Sequence, residues 1–274
     1  NHSCHPPAPH KIPLAEIELD PSALHNSKYK KEQREKMLKG ERPKECDYCW
    51  NIEDLDNTYF SDRHYKTSDT WAWDRFEEIA KSDPNKNVYP SYLEVSFSNA
   101  CNFACSYCSP EISSKWMEDI NKYGQYPTKH GAHNLDYLKS SGKYPYKHSE
   151  DNPYVTAFWK WFPDALPYLK VFRITWKVLD YLLENPQYKI DIAINSNLGV
   201  PDVLIDKLIK KLNQLQEVGI NVDIYTSIES TGEQAEYARD GLNYKQWLDN
   251  VNKVLELTKS KVAIMTTINI LSLP

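Results

Sequence analysis

The feature that most restricts the fold is a regular alternation over the second half of the chain. From Tyr168 onward, four runs rich in apolar and β-branched residues, 169–175, 189–197, 221–230 and 261–271, have the length and composition of strands. Between them lie helix patterns at 176–184, at 203–216 with Leu204, Leu208 and Leu212 on one stripe, and at 244–257 with Trp247, Val251, Val254 and Leu255 facing inward. With the strand-like run that begins at Leu93, strand and helix alternate five times. Such a chain is expected to build an α/β fold whose parallel sheet curls into a partial barrel, with its site residues at the carboxyl ends of the strands.

The first of these strand-like runs leads directly into chemistry. The stretch LEVSFSNACNFACSYCSP places Cys101, Cys105 and Cys108 in a CxxxCxxC pattern, close enough for three thiolates to converge. Iron–sulfur clusters and zinc both take cysteine ligands, but a structural zinc site closes with four protein ligands and this run supplies three. A [4Fe–4S] cluster held by three cysteines keeps one iron open, which suits catalysis. The other readings are reduced core thiols or half of a zinc ribbon.

A second set stands near the start, where Cys4 precedes RPKECDYCW with Cys46 and Cys49. His2, His5 and His10 lie close to Cys4 as candidate fourth ligands. A helix is expected over 26–39, stopped by Gly40, with Lys36 and Lys39 in its last turn. Iron–sulfur, zinc and unligated thiols all remain open for this set.

With Tyr107 just before the last cysteine, the 101–108 motif resembles the signature of the radical S-adenosylmethionine (SAM) superfamily. The leading cysteine, the helix, its lkGerP ending and the CxxC resemble the small cluster-binding appendage called a twitch or SPASM-like domain, here placed N-terminally. The resemblance implies a (β/α)6-type partial barrel in which a reduced [4Fe–4S] cluster on Cys101, Cys105 and Cys108 cleaves SAM to methionine and a 5′-deoxyadenosyl radical, which abstracts a substrate hydrogen. It also implies an auxiliary Fe–S cluster on Cys4, Cys46 and Cys49, and an external one-electron donor such as flavodoxin or ferredoxin. INSN at 194–197 and TSIES at 226–230 are similar to the third and fourth strand ends of the family. That likeness gives Asn195, Ser196, Asn197 and Ser227 contacts to SAM, Tyr107 a place beside the adenine, and Arg239 a bidentate contact to the SAM carboxylate. Ordinary strand-end hydrogen bonding and a surface charge are the plainer readings of those side chains.

The likeness breaks after Thr175. Relatives carry a glycine-rich GGEP loop there, whereas FRIT runs directly into WKVLDYLLENP without the usual connection of about 2 to 6 residues. Either the loop is lacking and SAM binds poorly, or residues are missing between Thr175 and Trp176; the second is expected. Separately, the missing initiator Met and the stop at Leu273-Pro274 directly after a strand point to missing ends of the chain.

The expected division is a cysteine-rich domain over 1–60, a linker over 61–90, and a barrel over 91–274 with an aromatic-rich insert at 111–165 that reads either as a lid or binding surface or as core packing. At 274 residues, 41% hydrophobic and 26% charged, the chain has enough sequence for this. A net charge of −5 without long single-sign runs gives no footprint for nucleic acid, and no apolar run has the length of a membrane span. Six cysteines are too few for a disulfide scaffold of this size, so a reducing, cytoplasmic setting is expected. The expected activity is modification of a peptide. The alternatives are a radical dehydrogenase of a small metabolite, a non-catalytic module in which Cys46, Cys49, Cys105 and Cys108 share one zinc, and an RNA-modifying enzyme.

Overall fold

The structure, a computed structural model, describes residues 10–56, 58–127, 133–141, 144, 152–173, 176–188 and 190–272. Cys4, His2, His5, Ile174 and Thr175 lie outside these residues, so the fourth-ligand question at Cys4 and the Thr175–Trp176 junction fall outside the description as well. The fold is mixed α/β, and the chain divides into two compact units, residues 1–93 with 150–172 and residues 94–149 with 173–274.

The first unit is helical. Its helix Lys28–Leu38 starts where the Ser27 side chain accepts the Lys30 amide and stops before Gly40 at φ 75°, the left-handed position that favours glycine. Residues 61–90 hold three short helices, Asp62–Ser68, Thr70–Trp73 and Phe76–Ala80. Extended backbone at Asp69 separates the first two. The anchor is the helix Pro153–Ala165, which Asn152 caps and Pro153 opens with a preset φ. It buries Phe158, Trp161 and Phe162, and Phe162 meets Phe172 at 5.2 Å between ring centres. Its Ala157 joins Ile12, Ile17 and Ala23 in a small core. Each large side chain so buried contributes about 1.5–3 kcal/mol.

Strands β1 (Tyr92–Glu94), β3 (Val171–Arg173), β4 (Asp191–Asn195), β5 (Val222–Ser227) and β7 (Val262–Met265) form one sheet in the order β1-β3-β4-β5-β7. The β4–β5 and β5–β7 ladders are parallel, with Asn195 opposite Tyr225 and Ser227 opposite Met265. The remaining strands, β2 (Ala104–Cys105) and β6 (Arg239–Asp240), make a two-residue antiparallel ribbon that the periodicity of the sequence does not announce.

The helices of the second unit follow their apolar stripes, with two corrections. Helix Asp202–Glu217 buries Ile205, Leu208, Ile209, Leu212 and Leu215, while the expected Leu204 is exposed. The i, i+3, i+4, i+7 series beginning at Ile205 makes a wider buried face than one beginning at Leu204, and it rotates Leu204 outward. Helix Tyr244–Leu257 buries Trp247, Val251 and Val254, but Leu255 is half exposed, one residue past the stripe. Insert residues 111–165 also contain ordered helices, including Ser114–Tyr123, which buries Trp116, Met117 and Ile120.

Candidate metal centre on the cysteine loop

The five described cysteines are free thiols. Cys101, Cys105 and Cys108 lie on one loop after β1, and that loop is fixed mostly by side chains reaching its backbone. Ser113 Oγ donates to the Phe103 carbonyl at 2.7 Å, Ser114 Oγ accepts the Cys101 amide at 3.0 Å, and Trp116 Nε1 donates to the Cys105 carbonyl at 2.9 Å. His133 Nε2 lies 2.9 Å from the Cys108 carbonyl, so it carries the proton there. Phe103, almost fully buried, packs on Gly199, where an added Cβ would stand 2.1 Å from the Phe103 ring. At Gly241, with φ 94°, a Cβ would stand 2.7 Å from the Asn102 carbonyl oxygen. Two glycines thus let the cysteine loop lie directly against backbone.

The end of β4 reaches the same loop. Asn197 Nδ2 donates to Asn102 Oδ1 at 2.8 Å and lies 3.7 Å from the Cys101 sulfur. Its Oδ1 accepts the Gly199 amide, and Asn102 in turn donates to the Gly199 carbonyl at 2.7 Å. Ser196 Oγ accepts the Leu198 amide, which helps hold fully buried Leu198 at φ 50°. Asn195 is exposed and Ser227 half-buried, each the last residue of its strand.

Behind the loop lies a buried ionic cluster centred on Glu229, which the strand-end reading passed over although it lies within TSIES. Arg239 donates to Glu229 from Nε and from Nη2, both at 2.6 Å, and Tyr107 donates its hydroxyl to the same carboxylate at 2.7 Å. The Arg239 guanidinium lies 5.5 Å from the Tyr107 ring centre, and its Nη1 lies 3.9 Å from the Cys105 sulfur. The bidentate pair expected of Arg239 is therefore made inside the protein, with Glu229. Burial pulls the Glu229 carboxyl upward, but the hydrogen bonds from Arg239 and Tyr107 outweigh it and hold the group below the usual carboxylate range. Burial and the bond to Glu229 push the Tyr107 phenol up.

Burial also pushes the Cys105 thiol up to about 11, against the pull of Arg239, and repulsion from Cys108 and Cys101 adds to the rise. The Cys108 thiol rises for the same first reason. These mutual effects place the three sulfurs within electrostatic reach of one another. No group of three or more His, Cys, Asp or Glu side chains among the described residues is gathered tightly enough to hold one ion. A single zinc draws its sulfurs to about 3.8 Å apart, from Zn–S bonds of about 2.3 Å, whereas a cubane gives each cysteine its own iron and spreads them wider.

No family model, curated protein or solved structure matches this chain. The chemistry of the site therefore rests on its own residues. Three thiols on one loop, with a buried guanidinium beside the most buried sulfur, fit a metal–sulfur group that requires thiolates.

In the first unit, the turn Lys44–Cys46 and the helix Asp47–Glu53 carry half-buried Cys46 and buried Cys49. Burial, then the neighbouring Cys49 and Glu45, raise the Cys46 thiol. Trp50 braces this helix: its Nε1 donates to the Pro43 carbonyl, and the Arg63 and Arg42 guanidinium groups lie 4.1 and 5.2 Å from its ring. Arg63 is held in turn by a bidentate pair with Glu53, at 2.9 and 2.6 Å. His10, one of the candidate ligands, stacks on Tyr29 with ring centres 3.9 Å apart. Among the described residues no helix is long and apolar enough to cross a membrane.

Proposed function

We propose that this chain is a radical SAM enzyme that modifies a peptide substrate, with a [4Fe–4S] cluster on Cys101, Cys105 and Cys108 and an auxiliary Fe–S cluster on Cys46, Cys49 and Cys4. The observation that carries the reading is the closure of the end of β4 on the CxxxCxxC loop, where Asn197 reaches both Asn102 and the Cys101 sulfur. In an α/β sheet the carboxyl ends of the strands are where ligands bind, and Asn197, just past the end of β4, meets the CxxxCxxC loop there. When bound, cluster and SAM together supply a one-electron cleavage of a carbon–sulfur bond that yields a hydrogen-abstracting radical.

The residues of the chain do the remainder. Glu229 fixes Arg239 beside Cys105, so a thiolate at that position gains a buried cation at no cost in reorganisation. Asn195, Ser196, Asn197 and Ser227 offer strand-end donors and acceptors to a polar cofactor, and Tyr107, fixed through its hydroxyl, offers a ring face for stacking. Phe103 and Trp116 back the loop with apolar bulk that excludes water from one side. The electron comes from an external carrier of the flavodoxin or ferredoxin type.

The test is iron and acid-labile sulfide per chain in anaerobically reconstituted protein, wild type beside the triple variant Cys101→Ala, Cys105→Ala, Cys108→Ala. About eight irons falling to about four, with four per cubane, is the expected result. Near-zero iron with stoichiometric zinc overturns the reading.

A further inference from the structure

Beside the cysteine loop, within the second unit, is a cavity of about 440 Å³ that the cluster reading does not use. Its aromatic lining is Trp116, Tyr123, Tyr126 and Tyr237, and its carboxylates are Asp119 and Asp240. We propose that this cavity binds the cationic side chain, alkylammonium or guanidinium, of a lysine- or arginine-bearing peptide.

Three observations lead there. The first is exposed aromatic surface: Tyr123, Tyr126 and Tyr237 are 72%, 55% and 75% exposed around a buried Trp116. Trp116 is a fixed floor, its Nε1 bonded to the Cys105 carbonyl and its ring met edge-on by Tyr126 at 5.4 Å and His133 at 4.8 Å. The second is charge. Asp119 pairs with Lys115 at 2.6 Å, and Asp240, near enough to act on that same lysine, makes no salt bridge among the described residues. These two carboxylates are the charged side chains of the lining itself, and Asp240 is left outside the Lys115 pair. The third is that a ring of the lining already takes a cation, since Lys122 sets its Nζ 4.8 Å from the Tyr123 ring centre. Ring faces attract ammonium and guanidinium groups through their quadrupoles, and a nearby carboxylate adds direct charge complementarity. The volume lies at the lower end of small-molecule sites, of the order of 300–1,000 Å³, and so suits one long side chain. Ala104 and Ser106, which flank Cys105, also line the cavity, so a peptide anchored here passes close to the cysteine loop.

The site stands independently of the proposed cluster chemistry and is tested by binding alone, on the full chain as purified. Calorimetric titration with the blocked amino acids N-acetyl-lysine methylamide and N-acetyl-arginine methylamide, beside the neutral N-acetyl-norleucine methylamide, reads the preference. At least one cationic compound is expected to bind about fivefold or more tightly than norleucine, with the margin shrinking as salt rises. Asp240→Asn is expected to remove most of that margin, and Tyr237→Ala to weaken cation binding about threefold or more. Both positions are exposed, and unchanged circular dichroism and melting temperature certify the variants. Equal binding of norleucine, no binding of either cation, or a margin unmoved by Asp240→Asn overturns the proposal. Iron content reads the cluster separately, so either reading can fail while the other stands.

Discussion

The Nη1 of Arg239 lies 3.9 Å from the sulfur of Cys105, and the two residues face each other across the β2–β6 ribbon. The register of a two-residue ladder thus decides which thiol has a guanidinium neighbour. Glu229, its side chain fully shielded, keeps that cation in place. Removing only the carboxylate, in Glu229→Gln, leaves a buried guanidinium without its partner and is expected to cost about 3–5 kcal/mol of unfolding free energy. The double variant Glu229→Gln, Arg239→Met is expected to lose less than Glu229→Gln alone. Urea denaturation of the metal-free chains checks both, and a double variant at least as unstable as the single one refutes the pairing argument.

Gly199 is where the cysteine loop touches the backbone after β4. Gly199→Ala drives a methyl group into the Phe103 ring and is expected to cost about 1–3 kcal/mol, in line with overpacking elsewhere. Phe103→Leu in the same chain is expected to recover part of that loss by withdrawing the ring. Melting temperatures of the two single variants and the double variant show whether the effects are coupled.

The loop after β4 also hangs on Asn250, whose Nδ2 donates to the carbonyls of Leu198 and Val200, both at 2.8 Å, from a fully buried side chain. Asn250→Ala leaves both acceptors unsatisfied and is expected to cost about 1–3 kcal/mol. Amide hydrogen exchange at Asn197 and Gly199 is expected to speed up more than exchange in β5, because the loss is local.

The Trp50 brace carries a pH signature. Hydrogen bonds from Arg63 hold the Glu53 carboxyl down to about 2 in a side chain only 11% exposed. A depressed carboxylate contributes stability that is fully present above its unfolded value, near 4.5, and lost as pH falls through about 2. Glu53→Gln is therefore expected to be less stable than wild type at neutral pH by about 1–3 kcal/mol, with the gap closing between about pH 4.5 and 2. Denaturation midpoints of both proteins across that range check it; a gap that widens toward acid contradicts the assignment.

Much of the second unit was legible because its signals are local. The strands at β4 and β5 and the helices Asp202–Glu217 and Tyr244–Leu257 follow from runs and stripes within a few turns of chain. Leu204 and Leu255 were misplaced because a one-residue rotation of a helix changes which side chains are buried at the edge of a stripe. The cysteine spacing named the loop, but the partners of Cys105 lay beyond any local signal: Arg239 is 134 residues away, and Glu229 gave no periodic cue. What could have flagged Glu229 is its place just past an apolar strand, where a carboxylate is shielded and needs a counter-charge. The insert at 111–165 shows no clean period in the sequence, and the cavity it shares emerges only once its Trp116 and Tyr126 are brought together in space with Tyr237, more than a hundred residues on.

The staples of the cysteine loop also set a timetable. Ser113, Ser114 and Trp116 follow the thiols closely in the chain, but Asn197, Gly199, Glu229, Arg239 and Gly241 come about a hundred residues or more later. During synthesis at about 5–20 residues per second, Cys101, Cys105 and Cys108 leave the ribosome several seconds before the residues that enclose them. For that interval they are open thiols, available to oxidants and to stray metal ions. Maturation of the loop is thus a late event, and its fidelity depends on how well the nascent chain is guarded before the ribbon with Arg239 can form.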